Sequence, residues 1–181
     1  MLAEKILKLT RSGKSKICRG SWKIYNLVVY RNAKLICVIW PPAFELSTEV
    51  VEQMRGVCSI SGIRKFQLPP QSAREFIFKL YELDKAGLRK IAPKIDRLLE
   101  APVRICLFYA QFENPQIIPH CDDNSWKRSR RISQAKADVR VAFKDRVPRY
   151  VYDVIIHSVE FPEQNLQVER LVQSYGAQIH D

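Results

Sequence analysis

The run VRICLFYAQF, residues 103–112, is apolar on both faces except at Arg104 and Gln111. A strand that faces solvent on one side alternates apolar and polar residues, and this run does not alternate. It is therefore expected to be a central strand in a sheet whose two faces are both covered. The neighbouring sequence indicates which elements complete that sheet.

Two more strands are predicted after the central one. Within residues 137–144, Val139, Val141 and Phe143 alternate with basic and small residues, which is the period of a half-buried strand. Residues 150–161 are rich in β-branched and aromatic side chains and are expected to pair back across a short turn. The three segments together predict an antiparallel meander.

A hairpin and several helices are predicted around these strands. Residues 22–31 and 34–40 read as a β-hairpin joined by a two-residue turn. Residues 47–56, 72–87 and 93–100 are expected to be helical, with short strand candidates at 57–60 and 63–68 between them. A last helix is expected after Pro162. The sequence therefore predicts an α+β fold with an N-terminal β-hairpin, a helical middle, and an antiparallel meander closed by a C-terminal helix.

The predicted domain organisation has one folded unit and two polar segments. Residues 1–20 form a basic N-terminal segment, with a short amphipathic helix followed by a glycine-punctuated connection. Residues 21–181 form a single α+β domain. Residues 113–136 show little periodicity and are predicted to be a long basic loop, a kind of segment that often carries function.

Charge is the most informative property of this chain. Its 181 residues include 30 Lys and Arg against 19 Asp and Glu, for a net charge of +11. Residues 1–40 contain nine basic residues and one acidic residue, and residues 127–149 contain nine and two. Two basic islands on a neutral body indicate a polyanionic partner.

The sequence lacks the motifs that are typical of several protein classes. There is no GxSxG, no GxxxxGK[ST] and no pair of cysteines spaced for zinc. The five cysteines are an odd number without close spacing, which favours an intracellular protein, cytoplasmic or nuclear. The longest apolar run, residues 35–40, is far shorter than the roughly 20 residues that cross a bilayer.

The second basic island supplies the leading functional hypothesis, the non-catalytic binding of RNA or DNA. Guanidinium groups hold phosphates through paired hydrogen bonds, and an indole can stack on an unpaired base. No catalytic residue, metal or cofactor is assigned, and the choice between RNA and DNA stays open. The predicted nucleic-acid-binding platform consists of Trp126, Lys127, Arg128, Arg130, Arg131, Lys136, Arg140 and Lys144.

A second hypothesis is that of a basic structural or assembly protein, of the matrix or adaptor type. The N-terminal segment would bind an anionic membrane surface, and the second island would bind a nucleoprotein partner. The two hypotheses differ in the role of the N-terminal segment, which only the second hypothesis assigns to a membrane surface.

Two enzyme alternatives rest on acidic and histidine side chains. A Mg²⁺-dependent nuclease would draw its metal ligands from Asp122, Asp123, Asp138 and Asp153. A facial metal site of two histidines and one carboxylate would use His120, Asp122 and His157. The ordinary interpretation is that Asp138 and Asp153 form salt bridges with Arg140 or Arg149 and that His157 is a core residue.

Overall fold

The computed structural model describes residues 34–83, 91–120, 123–159, 162–175 and 178–180, with the backbone alone at 117–120, 123–128, 163 and 178–180. The fold is α+β, as predicted. Its strands are β1 Lys34–Ile39, β2 Ser59–Gln67, β3 Arg104–Gln111, β4 Ile117–His120, β5 Asp123–Ser129, β6 Ile156–Ser158 and β7 Gln178–His180. Its helices are α1 Ser47–Arg55, α2 Pro70–Leu83, α3 Ile95–Leu98, α4 Arg130–Phe143 and α5 Asn165–Ser174. Short 3₁₀ turns lie at Pro41–Leu46, Ala92–Lys94, Lys144–Arg146 and Pro162–Gln164.

The main sheet has five antiparallel strands in the order β6-β1-β3-β2-β7, with β3 at its centre. Cys106, Leu107 and Phe108 are fully buried, so both faces of β3 are covered. The prediction of a central strand from the continuous apolar run is therefore confirmed. Strand β1 is buried on both faces for the same reason, since it lies between β3 and β6.

Helices cover the sheet on both sides, and the alternation of side chains along β3 distinguishes the two faces. On the Cys106 face, α1 packs against β2 and α4, and α4 packs against the edge strand β6. On the Tyr109 face, α2 and α5 pack together, and Glu169 of α5 accepts a hydrogen bond of 2.5 Å from the Tyr109 hydroxyl. The edge at β6 is where these two helical layers come close to each other.

Strand β2 contains a bulge that depends on a glycine. The pairing of β2 with β3 shifts register between Ser61 and Arg64, and Gly62 has a φ of 59°. A Cβ atom at Gly62 would lie 2.9 Å from Cδ2 of Tyr109. Both the backbone conformation and the close ring therefore favour glycine at this position.

Replacing Gly62 with alanine is expected to lower the free energy of unfolding by about 1–2 kcal/mol, because the left-handed conformation is strained with a side chain. Urea unfolding followed by circular dichroism measures this change. The matched control is the same substitution at Gly56, where φ is −63° and the added Cβ meets only the Gln53 carbonyl oxygen, at 3.2 Å. Equal effects at the two glycines would contradict this account of the bulge.

The predicted antiparallel meander is wrong, because its middle strand is a helix. Residues 137–144 belong to α4 and the 3₁₀ turn that follows it, and β6 pairs with β1 instead. Val139 and Phe143 are buried four residues apart, as on a helix, whereas Val141 is exposed. The apparent alternation arose because Arg140, counted as an exposed residue, lies on the buried side of α4.

The remaining predictions of structure have mixed outcomes. The strand 34–40, the helical middle and the C-terminal helix after Pro162 are confirmed by β1, by α1 to α3 and by α5. The predicted loop 113–136 instead contains the hairpin β4–β5 and the first half of α4. Residues 1–20 and the first hairpin strand, 22–31, lie outside the described residues.

In the part of the chain that the structure describes, no helix is both long and apolar enough to span a membrane.

Candidate functional site

The eight residues of the predicted platform do not share one surface. Arg130, Arg131 and Lys144 are exposed, whereas Lys136 and Arg140 are only 7% and 9% exposed and face the interior. Arg130 and Lys144 stand at opposite ends of α4, which is about 20 Å long. Trp126, Lys127 and Arg128 lie on strand β5, and the backbone alone is described for these three residues. The exposed basic residues of α4 are therefore separated from the buried ones.

Strand β5 passes directly into α4 through a tightly bonded junction. The Ser129 hydroxyl accepts a hydrogen bond from the backbone N–H of Ile132 and donates one of 2.6 Å to the carbonyl of Pro115. The backbone N–H of Arg130 donates to the carbonyl of Gln116. These bonds cap the helix and fix Arg130 and Arg131 where the hairpin ends.

Arg130 and Arg131 differ from most other described arginines in having no carboxylate partner within the described residues. The exposed Arg146, for example, donates to both carboxylate oxygens of Glu49, at 2.5 and 2.8 Å. Arg149 donates to Glu100 at 2.6 Å. Three of the nine basic residues in the second island, Arg140, Arg146 and Arg149, thus already have a carboxylate partner. The arginines that contact a carboxylate are Arg55, Arg64, Arg97, Arg104, Arg140, Arg146 and Arg149.

A second basic group is buried at the β6 edge of the sheet. Asp153, in the segment that precedes β6, forms ion pairs with Arg140 of α4 and with Lys94, the latter at 2.9 Å. Lys94 is only 5% exposed, in the 3₁₀ turn before α3. Asp153 has a φ of 71°, a left-handed conformation that aspartate tolerates better than most residues. A single carboxylate therefore joins a cation from each side of the sheet edge.

Aromatic rings and a backbone carbonyl complete this cluster. The Lys94 ammonium lies 4.5 Å from the centre of the Tyr81 ring, and that ring contacts His157 at 4.7 Å between centroids. Arg140 lies 5.1 Å from the centre of the Tyr152 ring and donates a 2.8 Å hydrogen bond to the Ile156 carbonyl. Arg140 thereby occupies an acceptor on the outer side of the edge strand, which protects that edge from pairing with another chain.

The electrostatics of the cluster reflect more positive than negative charge. Burial, together with the charges of Arg140 and Lys136, lowers the pKa of Lys94 to about 8. Burial likewise lowers the pKa of Arg140. Lys94 and Arg140 share the one carboxylate of Asp153 in a poorly solvated place, where their charged forms are costly.

Three residues of the two enzyme alternatives, Asp138, Asp153 and His157, have described side chains, and all three make structural contacts. Asp138 is exposed on α4 and accepts a 2.8 Å hydrogen bond from Gln134, while Asp153 belongs to the buried cluster. His157 is buried on β6 between aromatic rings, which matches the interpretation of a core histidine. The described residues contain no group of three or more side chains able to hold a metal ion. The side chains of His120, Asp122 and Asp123 lie outside the described residues.

Lys94 was not predicted from the sequence to belong to a functional site. Lys94 falls between Ile91, Ile95 and Leu98, all of which are buried, at positions that share one face of a helix. A lysine at this helical spacing among apolar residues indicates that its charge is buried.

Scanning protein-family models and searching curated proteins found no match to this chain.

Proposed function

We propose that this protein binds nucleic acid, RNA or DNA, without acting on it chemically, through the junction where strand β5 passes into helix α4. The observation that carries this proposal is the adjacent pair Arg130 and Arg131. Both are exposed, and neither has a carboxylate partner among the described residues. Only Ser129 separates them from Lys127 and Arg128, so four basic residues lie within five positions.

The position of the pair on the helix supports a role outside the fold. A helix N-terminus carries partial positive charge, so cations in the first turn are unfavourable for the helix itself. Arg130 and Arg131 occupy the first two positions of α4 and form no ion pair with a carboxylate that the structure describes. A phosphate group is attracted by these guanidinium groups, whereas the first backbone N–H groups of the helix are already bonded to Gln116, Pro115 and Ser129.

The shape of the junction also suits a nucleic acid. A two-stranded β-ribbon fits the major groove of B-form DNA, and basic grooves with aromatic side chains hold single strands. The hairpin β4–β5 is a two-stranded ribbon that carries Trp126, Lys127 and Arg128 on its second strand. The corrected binding surface therefore consists of this hairpin and the first turn of α4. Lys136 and Arg140 are not part of it.

The test compares two double variants that remove the same charge from the same basic island. Arg130→Ala with Arg131→Ala is expected to weaken binding to oligonucleotides of about 20 nucleotides by about tenfold to thirtyfold. The log–log salt slope should fall in magnitude by about 1.4–1.8, because two phosphate contacts are lost. Equilibrium titrations from about 50 to about 300 mM salt, with single- and double-stranded RNA and DNA, measure both quantities.

Arg146→Ala with Arg149→Ala is the matched control, because these arginines are already paired with Glu49 and Glu100. This control is expected to weaken binding much less, even though it removes an equal formal charge. Equal losses in the two double variants would mean that net charge alone drives binding, which contradicts a defined surface. Binding to anionic vesicles with none to oligonucleotides would overturn the proposal in favour of a membrane or assembly protein.

A further inference from the structure

A groove between helix α1 and strand β2 opens on the face of the sheet that α1 covers, and its volume is about 200 Å³. Thr48, Val51 and Arg55 line it from one face of α1, at the three- and four-residue spacing of a helix. Ile63 and Lys65, two residues apart on β2, line it from the other side. An apolar cavity of about 150 Å³ binds benzene, so this groove has room for a ring of that size with one small substituent.

The middle of the groove is apolar. Val51 and Cys106 line it and are buried, whereas Ile63 is 42% exposed at its rim. A ligand that covers this apolar surface removes it from water, which favours binding. The body of a ligand held here is therefore expected to be apolar.

The groove also contains one positive charge without a carboxylate partner. Arg55 donates to Glu52 one helical turn earlier, so the charges of these two lining residues cancel. Lys65 forms no ion pair with a described carboxylate, and its ammonium lies 5.6 Å from the centre of the Phe44 ring. An aromatic ring leaves the N–H donors of an ammonium free for an acceptor. A ligand with a single negative charge therefore matches the groove.

The path of the chain orders these groups along the groove. Residues 56–58 alone join α1 to β2, so the helix and the strand run in opposite directions, and the start of α1 lies nearest the end of β2. The hydroxyl groups of Ser47 and Thr48, which also line the groove, therefore lie toward Lys65. Lys65 in turn is paired with Cys106 of β3 in the sheet. The polar donors thus gather at one end of an apolar surface.

We propose that this groove binds a small organic acid that has one carboxylate and an apolar body about the size of a benzene ring. The Lys65 ammonium binds the carboxylate, and the hydroxyl groups of Ser47 and Thr48 are further donors. The apolar body packs against Val51 and Ile63. The site lies between α1 and β2, whereas the proposed nucleic-acid surface lies at the start of α4, so the inference goes beyond the proposed function.

The experiment is a nuclear magnetic resonance titration of the ¹⁵N-labelled full chain with sodium benzoate up to about 10 mM, at constant ionic strength set with NaCl. The amide signals of Val51, Ile63 and Lys65 should shift saturably, with a dissociation constant on the order of 1 mM for a ligand of this size. Benzyl alcohol, which lacks the charge, and acetate, which lacks the ring, should each bind at least about fivefold more weakly.

Two variants separate the contributions of charge and of apolar contact. Lys65→Gln should weaken benzoate binding about tenfold and leave benzyl alcohol binding unchanged, because only the charged interaction is lost. Ile63→Ala should weaken the binding of both ligands about threefold to fivefold, because apolar contact is lost. Lys144→Gln is the matched control, since it removes one charge from an exposed lysine at the end of α4, and it should change benzoate affinity less than about twofold.

Absence of saturable shifts in the wild type, or equal losses of benzoate affinity in Lys65→Gln and Lys144→Gln, would overturn the proposal. Equal affinity of the wild type for benzoate and either acetate or benzyl alcohol would also overturn it, because the groove would then not recognise both parts of the ligand. If Lys65→Gln fails to fold, this comparison of ligands in the wild type decides the question. The Arg130→Ala, Arg131→Ala variant should bind benzoate like the wild type, so this proposal and the nucleic-acid proposal can fail separately.

Discussion

Replacing Asp153 with alanine is expected to lower the free energy of unfolding by about 3–5 kcal/mol, the largest loss we predict for a single side chain. The reason is that Asp153 is the partner of two buried cations, Lys94 and Arg140. Without it, both charges remain away from water with no described carboxylate beside them. Urea unfolding of the wild type and the variant, followed by circular dichroism, measures the loss.

The control is Glu49→Ala, which removes a surface carboxylate that accepts hydrogen bonds from the two terminal guanidinium nitrogens of Arg146. Because both partners of that pair are exposed to solvent, its loss should matter far less than the loss of Asp153. Adding Lys94→Met to Asp153→Ala should recover part of the stability, since one of the two unpaired cations is then gone. A small loss in Asp153→Ala, equal to that in Glu49→Ala, would show that the cluster does not depend on this carboxylate.

Alkaline pH is expected to stabilise the protein through Lys94. The pKa of Lys94 lies at about 8 in the folded protein and at 10.5 in an unperturbed lysine. Between these values the unfolded chain holds a proton that the folded chain has released, so the free energy of unfolding rises with pH. The full gain is about 3 kcal/mol by pH 10.5, of which about 1 kcal/mol is present by pH 9.

Buried thiols act in the opposite direction above pH 9, so the measurement needs a reference variant. Burial raises the pKa of Cys58 and of Cys106 to about 11, and it raises that of Cys37 as well. The unfolded chain loses these protons first, and stability then falls as pH rises. The informative quantity is the difference in unfolding free energy between the wild type and Lys94→Met from about pH 7 to pH 9. If that difference stays constant, Lys94 does not titrate in this range.

The apolar pattern was sufficient to predict the elements that carry only apolar side chains into the core. Strands β1 and β3 were found from their continuous apolar runs, because a strand buried on both faces needs no polar positions. The hairpin β4–β5 was not found, because DNSWKRS in β5 offers neither apolar alternation nor β-branched residues. Strand β5 pairs with β4 through backbone hydrogen bonds, and the hydropathy of the side chains does not reveal such pairing.

Helix α4 shows why the buried cluster could not be predicted from hydropathy. Its inner face includes Ile132, Lys136, Val139, Arg140 and Phe143, a helical spacing that becomes visible only when the two cations are counted as buried. When these two cations are counted as surface residues, the remaining apolar residues alternate along the sequence as they would in a strand. Both cations are buried because of contacts made by the folded chain. Arg140 forms an ion pair with Asp153, 13 residues later in the sequence, and Lys136 is buried on the inner face of α4.

Both edges of the main sheet are formed by segments that come late in the chain, and this order has a consequence for synthesis. Strands β1, β2 and β3 are complete at residue 111, but the edge strands β6 and β7 begin only at Ile156 and Gln178. A ribosome needs on the order of a few seconds to make the intervening residues. During that interval the central strands lack their described edge partners β6 and β7, and unpaired strand edges are the surfaces that associate with other chains. We therefore expect chains that stop before residue 155 to aggregate, and the nascent protein to benefit from a chaperone that covers exposed strands.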